Sequence, residues 1–253
     1  RQKAYDALSL EEKAERIVSE VADRIRQKYP KLTVETAVAE GHPADLLVKA
    51  AKDADQVVVG ARGAGAPAMV KMLGGVSDFV VQHAEGAVAV VPDQAEERPG
   101  APVLVGLDDS PQGKLAIARA FQAASLRGVP LIAITAWDYG PYDAFNAEIW
   151  AHSMDEMNQM MVDEAEKLIA DKVAEFPDVD VTIQPARGRP EVALVEASKN
   201  AGLLVIGSKG RGGFASLLLG STSRHVLREA YCPVVITRDW AGWKDQAGRR
   251  ANS

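Results

Sequence analysis

Cysteine is almost missing from this chain. Cys232 is the only one in 253 residues, which excludes an intrachain disulfide and points to a reducing compartment, the cytoplasm. Long apolar runs are missing too: no stretch approaches the roughly 20 residues that a membrane-spanning helix needs. Arg1 to Glu20 is charged and helix-patterned rather than built like a secretion signal. There is no basic excess, and a net charge of -6 argues against general affinity for nucleic acid or anionic membrane. The four histidines, His42, His83, His152 and His225, stand at no metal-ligand spacing with Cys, Asp or Glu, so no metal site is expected. The Gly-x-x-x-x-Gly-Lys-[Ser/Thr] loop of ATPases is absent, and so is any catalytic set, which disfavours hydrolysis as the main role. What remains is an ordinary globular composition, 47% apolar and 25% charged.

What is present is a repeat. One copy reads Leu203-Leu204-Val205-Ile206-Gly207-Ser208-Lys209-Gly210, nine more residues, Gly220-Ser221, then Pro233-Val234-Val235-Ile236. The other reads Gln56-Val57-Val58-Val59-Gly60-Ala61-Arg62-Gly63, ten more residues, Gly74-Gly75, then Ala87 to Val91. A shift of 147 places Pro30 on Pro177, Gly41 on Gly188, Pro43 on Pro190 and Gly60 on Gly207. After the extra residue a shift of 146 takes Gly74 to Gly220. The repeat implies two domains, residues 1–92 and 102–238, joined by a polar, proline-rich linker from Pro92 to Pro102. Residues 102–147 have no counterpart in the first half, so the first domain reads as partial, without an opening strand–helix–strand.

The second half alternates short apolar strands with helices. Strands are expected at Val103–Leu107, Leu131–Ile134, Val181–Gln184, Leu203–Ile206 and Val234–Thr237. Helices are expected from about Gln112 to Leu126, Met157 to Glu175 and Glu191 to Lys199, with another after Gly220. Asp109 or Ser110 can cap the first of these, and Pro111 suits its first position. Asp109 is a better cap than Asp108. The pattern predicts tandem α/β domains, doubly wound, with five-stranded, mainly parallel sheets. The tail from Asp239 to Ser253 is polar apart from Trp240 and Trp243, which read as anchors on their own domain.

Such sheets bind ligands beyond the carboxyl ends of their strands, where the chain order reverses. Gly207 and Gly210 let the backbone approach a ligand without a Cβ in the way. Gly220-Ser221 opens a helix whose first N–H groups are unpaired and suit a phosphate. The Ser221 hydroxyl either caps that helix or donates to a phosphate oxygen. Asp108 closes the first strand at the same edge, as an acceptor for an adenine amino or ribose hydroxyl group or as a turn residue. Lys209, Arg211 and Arg189 are candidate partners for phosphate charge.

Taken together, Gly207-x-x-Gly210, the nine-residue spacing and Gly220-Ser221 resemble the nucleotide-binding motif of the universal stress protein family. Val105-Gly106-Leu107-Asp108-Asp109-Ser110-Pro111, Gly188-Arg189-Pro190 and Cys232-Pro233-Val234-Val235-Ile236 resemble its opening strand, its Gly-x-Pro turn and its closing strand. The tandem arrangement is similar to two-domain members common in actinobacteria. The resemblance implies ATP or another adenine nucleotide as ligand, with Mg²⁺ as a candidate companion. Asp108 and the backbone of Ala136 would hold adenine and ribose; Gly207, Gly210, Gly220 and Ser221 would hold the phosphates. It also implies pairing through the last strands, Val88–Val91 and Val234–Thr237, within the chain and in a homodimer. The expected role is a cytoplasmic stress-response regulator rather than an enzyme. Two alternatives stand beside it: a scaffold without nucleotide, and a slow ATPase or self-phosphorylating protein using Ser221 or His225. The first copy departs from the motif. Its loop, marked by Gly60, Gly63, Gly74 and Gly75, is one residue longer, has Gly75 where Ser is expected and lacks the aspartate strand, so it reads as degenerate.

Overall fold

Short runs of Val, Ile and Leu, broken by glycine turns and capped helices, build one sheet. The computed structural model describes residues 9–63, 72–137, 147–210 and 218–238. The strands are β1 (Gln56–Gly60), β2 (Ala87–Val91), β3 (Val103–Gly106), β4 (Leu131–Trp137), β5 (Val181–Arg187), β6 (Leu203–Gly207) and β7 (Val234–Thr237). The helices are α1 (Leu10–Lys28), α2 (Pro43–Ala50), α3 (Gly75–His83), α4 (Pro111–Arg127), α5 (Ala147–Glu175), α6 (Pro190–Ser198) and α7 (Ser221–Glu229). The helix α5 begins ten residues before its apolar periodicity becomes readable at Met157, and β5 runs three residues past Gln184. Trp240, Trp243 and the tail lie outside the described residues.

Residues Arg1–Leu46 and Leu47–Ser253 form two compact units. In the first unit, α1 starts with a capping box: Glu12 N–H donates to the Ser9 hydroxyl, and the Glu12 carboxylate accepts from Ser9 N–H. Glu11 and Glu12 in its first turn and Arg26 and Lys28 in its last complement the helix dipole. Residues 33–40, aligned by the repeat with β5, form no strand.

In the second unit the strand order is β1-β2-β7-β6-β3-β4-β5. The expectation of five-stranded sheets is therefore corrected to a single sheet of seven. Every pairing is parallel except β2·β7. Five strands come from the second half and only β1 and β2 from the first, and the two sets join because β2 and β7 leave apolar edges that satisfy each other. Val88 pairs with Ile236, Ala89 with Val235 and Val90 with Val234. Under the 146-residue shift this register is its own mirror, so an internal two-fold axis passes near Ala89 and Val235. The register within each copy is also the same: Val57 pairs with Val88, and Leu204 with Val234.

Alternating side chains feed two apolar layers. Val88, Val90, Leu104, Leu204, Ile206, Val234 and Ile236 face α3, α6 and α7. Val103, Val105, Leu131, Ala133, Val205 and Val235 face α4 and α5, where Ala116, Ala120, Ala124 and Phe121 are fully buried. Over β1 the second layer thins, leaving Val58 60% exposed on an edge strand. Among the described residues no helix is long and apolar enough to cross a membrane.

Candidate functional site

The two glycine loops are held alike at their described ends. In the second copy Ser208 N–H donates to Thr237 O at 2.8 Å and Gly220 N–H donates to Ser208 O at 2.8 Å. In the first copy Ala61 N–H donates to Val91 O and Gly74 N–H to Ala61 O, each at 2.8 Å. A serine in the following helix locks each loop to its strand: Ser223 Oγ donates to Gly207 O at 2.8 Å, and Ser77 Oγ to Gly60 O at 2.6 Å. Gly220 and Gly74 are the N-caps of α7 and α3, with extended backbones and no side-chain cap. Ser221 is therefore the first helical residue, exposed, with Gly220 rather than its own hydroxyl at the cap position.

What differs is the surrounding edge. Because β3 lies between β6 and β4, the chain order reverses between β3 and β6. There Asp108 follows β3 and Gly210 follows β6, and a Cβ on Gly210 would stand 2.5 Å from Asp108 Oδ2. The cradle is one that a side chain would fill. Asp108 Oδ1 accepts from Ser110 N–H at 2.7 Å, so the aspartate also shapes its own turn. Ser110 caps α4, its hydroxyl accepting from Gly113 N–H at 3.1 Å and donating to Lys209 O at 3.2 Å. This decides the cap in favour of Ser110; Asp109 instead pairs with Lys114 at 2.9 Å on the surface. A Cβ on Gly207 would meet Gln112 C at 3.0 Å, so the start of α4 lies directly on the end of β6.

Asp108, Gly207, Gly210, Gly220 and the backbone of Lys209 thus share one edge; a Cβ on Gly220 would lie 3.5 Å from Lys209 Cα. Ala136 is half-buried on β4, and it and Asp108 each lie two residues past the Gly106·Ile134 pair. Gly188 turns the chain with φ +102°. Arg189 forms an ion pair with the buried Glu191. Arg211 lies outside the described residues. In the first copy Gly60, Gly63, Gly74 and Gly75 stand at the described ends of the loop, but a Cβ on Gly63 would meet nothing within 4 Å. Arg62, the counterpart of Lys209, pairs with Asp93 at 2.6 Å, its side chain 13% exposed. No three His, Cys, Asp or Glu residues converge as metal ligands among the described residues.

Sequence reasoning overlooked three residues that hold the edge together. Gly113 is compulsory, since a Cβ there would stand 1.9 Å from Asp108 O; a glycine inside the first turn of a helix was its only signal. Thr237 Oγ1 donates to Gln112 O at 2.9 Å, tying β7 to α4. Ser223 was legible in principle, because the repeat places it on Ser77. The single thiol, Cys232, is buried, which pushes its pKa up to about 12.

Comparison with known proteins agrees with this architecture. The sequence model of the universal stress protein family matches residues 1–92 and 101–238. The chain is similar to a universal stress protein of Mycobacterium tuberculosis H37Rv, 41% identical over 208 residues, 79% of this chain and 64% of that protein. It therefore spans just under two thirds of that relative. A universal stress protein of Mycolicibacterium smegmatis is 39% identical over 221 residues, 86% of this chain and 73% of its own length. The crystal structure of a universal stress protein from Archaeoglobus fulgidus superposes with a TM-score of 0.64 at 25% identity, covering 91% of this chain and 77% of that one. With a duplicated strand–glycine loop–helix unit, a doubly wound sheet and these matches across both halves, the chain belongs to the universal stress protein family.

Proposed function

We propose that this chain binds an adenine nucleotide, ATP, at the carboxyl edge of β3 and β6, and that it serves as a nucleotide-dependent stress-response regulator in the cytoplasm. The observation that carries this reading is the cradle where Gly210 faces the Asp108 carboxylate at a point of reversed strand order. A carboxylate there accepts from an adenine amino or ribose hydroxyl group, with the backbone of Ala136 level with it on the neighbouring strand. The α7 N-terminus, entered through Gly220 and Ser221, supplies unpaired N–H groups and the positive end of a helix dipole for phosphate. Lys209, Arg211 and Arg189 are the candidates for phosphate charge, and Arg189 would have to exchange its ion pair with Glu191 to serve. Mg²⁺ would then be held chiefly by the phosphates.

The first copy is assigned no nucleotide. The described ends of its loop match, but a Cβ on Gly63 meets nothing within 4 Å where one on Gly210 meets a carboxylate, and Arg62 is committed to Asp93. The two domains, 1–92 and 102–238, pair through β2 and β7, which occupies both edges of each strand. A homodimer would have to use another surface.

Isothermal titration with ATP tests the reading. Binding by the wild type, weakened in Asp108→Ala and in Gly220→Val, is the expected result. No binding, or an affinity unchanged in both variants, overturns it and favours a scaffold role. Transfer of label from γ-labelled ATP to the protein would instead favour the self-phosphorylating alternative.

A further inference from the structure

Arg238 is the first residue after β7, and its guanidinium spans two parts of the molecule. It donates to the main-chain oxygen of Gln82, to that of Val81 at 2.7 Å and to that of Leu218 at 3.3 Å. Val81 and Gln82 lie in the last turn of α3, where carbonyls lack intrahelical donors and the helix dipole is negative. Leu218 lies on the short arm that leads through the buried Leu219 to Gly220, the cap of α7. Burial lowers the pKa of this guanidinium from its ordinary value, yet arginine remains cationic at neutral pH. A planar fork of five N–H donors can hold three carbonyls at once, which an ammonium cannot do with the same geometry.

Among the described residues the first copy has no equivalent tie. Pro92 stands where the repeat would place Arg238, and it carries no side-chain donor. Met72, the counterpart of Leu218, is 63% exposed, against 42% for Leu218. The linker supplies a weaker reciprocal contact, with Gln94 Nε2 donating to Ala230 O at 2.9 Å, at the end of α7 rather than at a loop. The described ends of the two loops share their hydrogen bonds and differ in their external support.

We propose that Arg238 is a positioning residue of the nucleotide loop: it fastens the Leu218–Gly220 arm to the last turn of α3, so that the first half of the chain braces the site in the second. This rests on the nucleotide-binding reading above. It also gives the first half a task that requires no ligand of its own. Coupling of this kind is reciprocal, so a nucleotide that stiffens the arm also stiffens the end of α3.

The test uses the full chain as wild type, Arg238→Met and Arg238→Lys. Hydrogen exchange is measured without nucleotide, followed by titration with ATP. In Arg238→Met, exchange at residues 219–223 and 81–85 rises together by about tenfold, the scale set by losing hydrogen bonds to a charged group. Residues 110–116 stay at the wild-type rate, and ATP binds about tenfold more weakly. Arg238→Lys falls between, because its ammonium cannot bridge all three carbonyls. Faster exchange at 81–85 with 219–223 unchanged overturns the proposal, and so does wild-type ATP affinity in Arg238→Met. If the wild type binds no ATP, the nucleotide reading fails, and the exchange data alone decide whether Arg238 braces the arm. Should Arg238→Met not fold, Arg238→Lys carries both measurements.

Discussion

Replacing Gly210 by alanine separates binding from stability. The new methyl would stand 2.5 Å from Asp108 Oδ2 and 3.4 Å from its Cγ, so the carboxylate has to swing away. That group is anchored by the 2.7 Å hydrogen bond from Ser110 N–H to Oδ1. An off-rotamer side chain costs about 0.5–1.5 kcal/mol, and losing the turn bond to this charged acceptor costs about 1.5–3 kcal/mol. Against this, alanine restricts the unfolded chain and returns about 0.4–1 kcal/mol. The net destabilisation is roughly 1–4 kcal/mol, below the total stability of an ordinary domain, about 5–15 kcal/mol. Binding should suffer as well, because the ligand's hydrogen bond to this charged acceptor contributes about 1.5–3 kcal/mol. Displacing the carboxylate therefore weakens ATP about 10- to 100-fold. Gly63→Ala is the internal control: it alters the corresponding glycine of the first copy, where a Cβ meets nothing within 4 Å. It should leave ATP binding unchanged and stability level or up to about 1 kcal/mol higher. Urea unfolding and isothermal titration on both variants decide the matter. Equal ATP affinity for Gly210→Ala and Gly63→Ala would refute the assignment of Asp108 as a ligand group.

Gly113→Ala places its Cβ 1.9 Å from a main-chain oxygen that cannot rotate aside, so α4 must lift from β6; expression and thermal unfolding should show a loss of at least about 3 kcal/mol. Ser208→Ala runs the other way. The Ser208 hydroxyl is buried without a protein hydrogen-bond partner, and Ala61 holds the same place in the first copy, so urea unfolding should show stability equal or about 1 kcal/mol higher. Cys232 should resist a thiol reagent in the native protein at pH 8 and react once urea unfolds it, because burial keeps the thiol protonated. The sign of its pH dependence follows. An unfolded chain releases that proton near the ordinary value of 9.0, while the native one holds it to about 12. Stability therefore falls as pH rises from about 9 toward 12, and Cys232→Ala should flatten that part of the slope.

Most of the second half was legible because its information is local. Ser110-Pro111 announces the start of α4 and Gly128, at φ +61°, its end; both signals lie within a few residues of what they control. The apolar runs at 103–106, 203–207 and 234–237 are short, continuous and rich in β-branched residues, as strands buried on both faces must be. The repeat was readable for the same reason, and the strand ends at Gly60 and Gly207 and the helix starts at Gly74 and Gly220 are indeed held by matching bonds. The strand-like segment 33–40 is the counter-example. The repeat aligns it with β5, which is fixed by its ladder to β4, yet it forms no strand: a strand depends on the neighbour its backbone finds and not on its own residues alone.

The sequence by itself determined the alternation of strand and helix, the duplicated glycine turns and the family. Three decisions belonged to the folded molecule alone. One was the size of the sheet: the pairing of β2 with β7 that the resemblance implied merges the two halves into a single sheet of seven strands. Another was the approach of Gly210 to Asp108, made possible by Gly113 and Gly207 on opposing elements. The last was the reach of Arg238 to Gln82, 156 residues away. Periodicity and capping are written in neighbouring residues, whereas which glycine must admit a backbone, and which arginine finds three carbonyls, depends on elements that meet only once the sheet has formed.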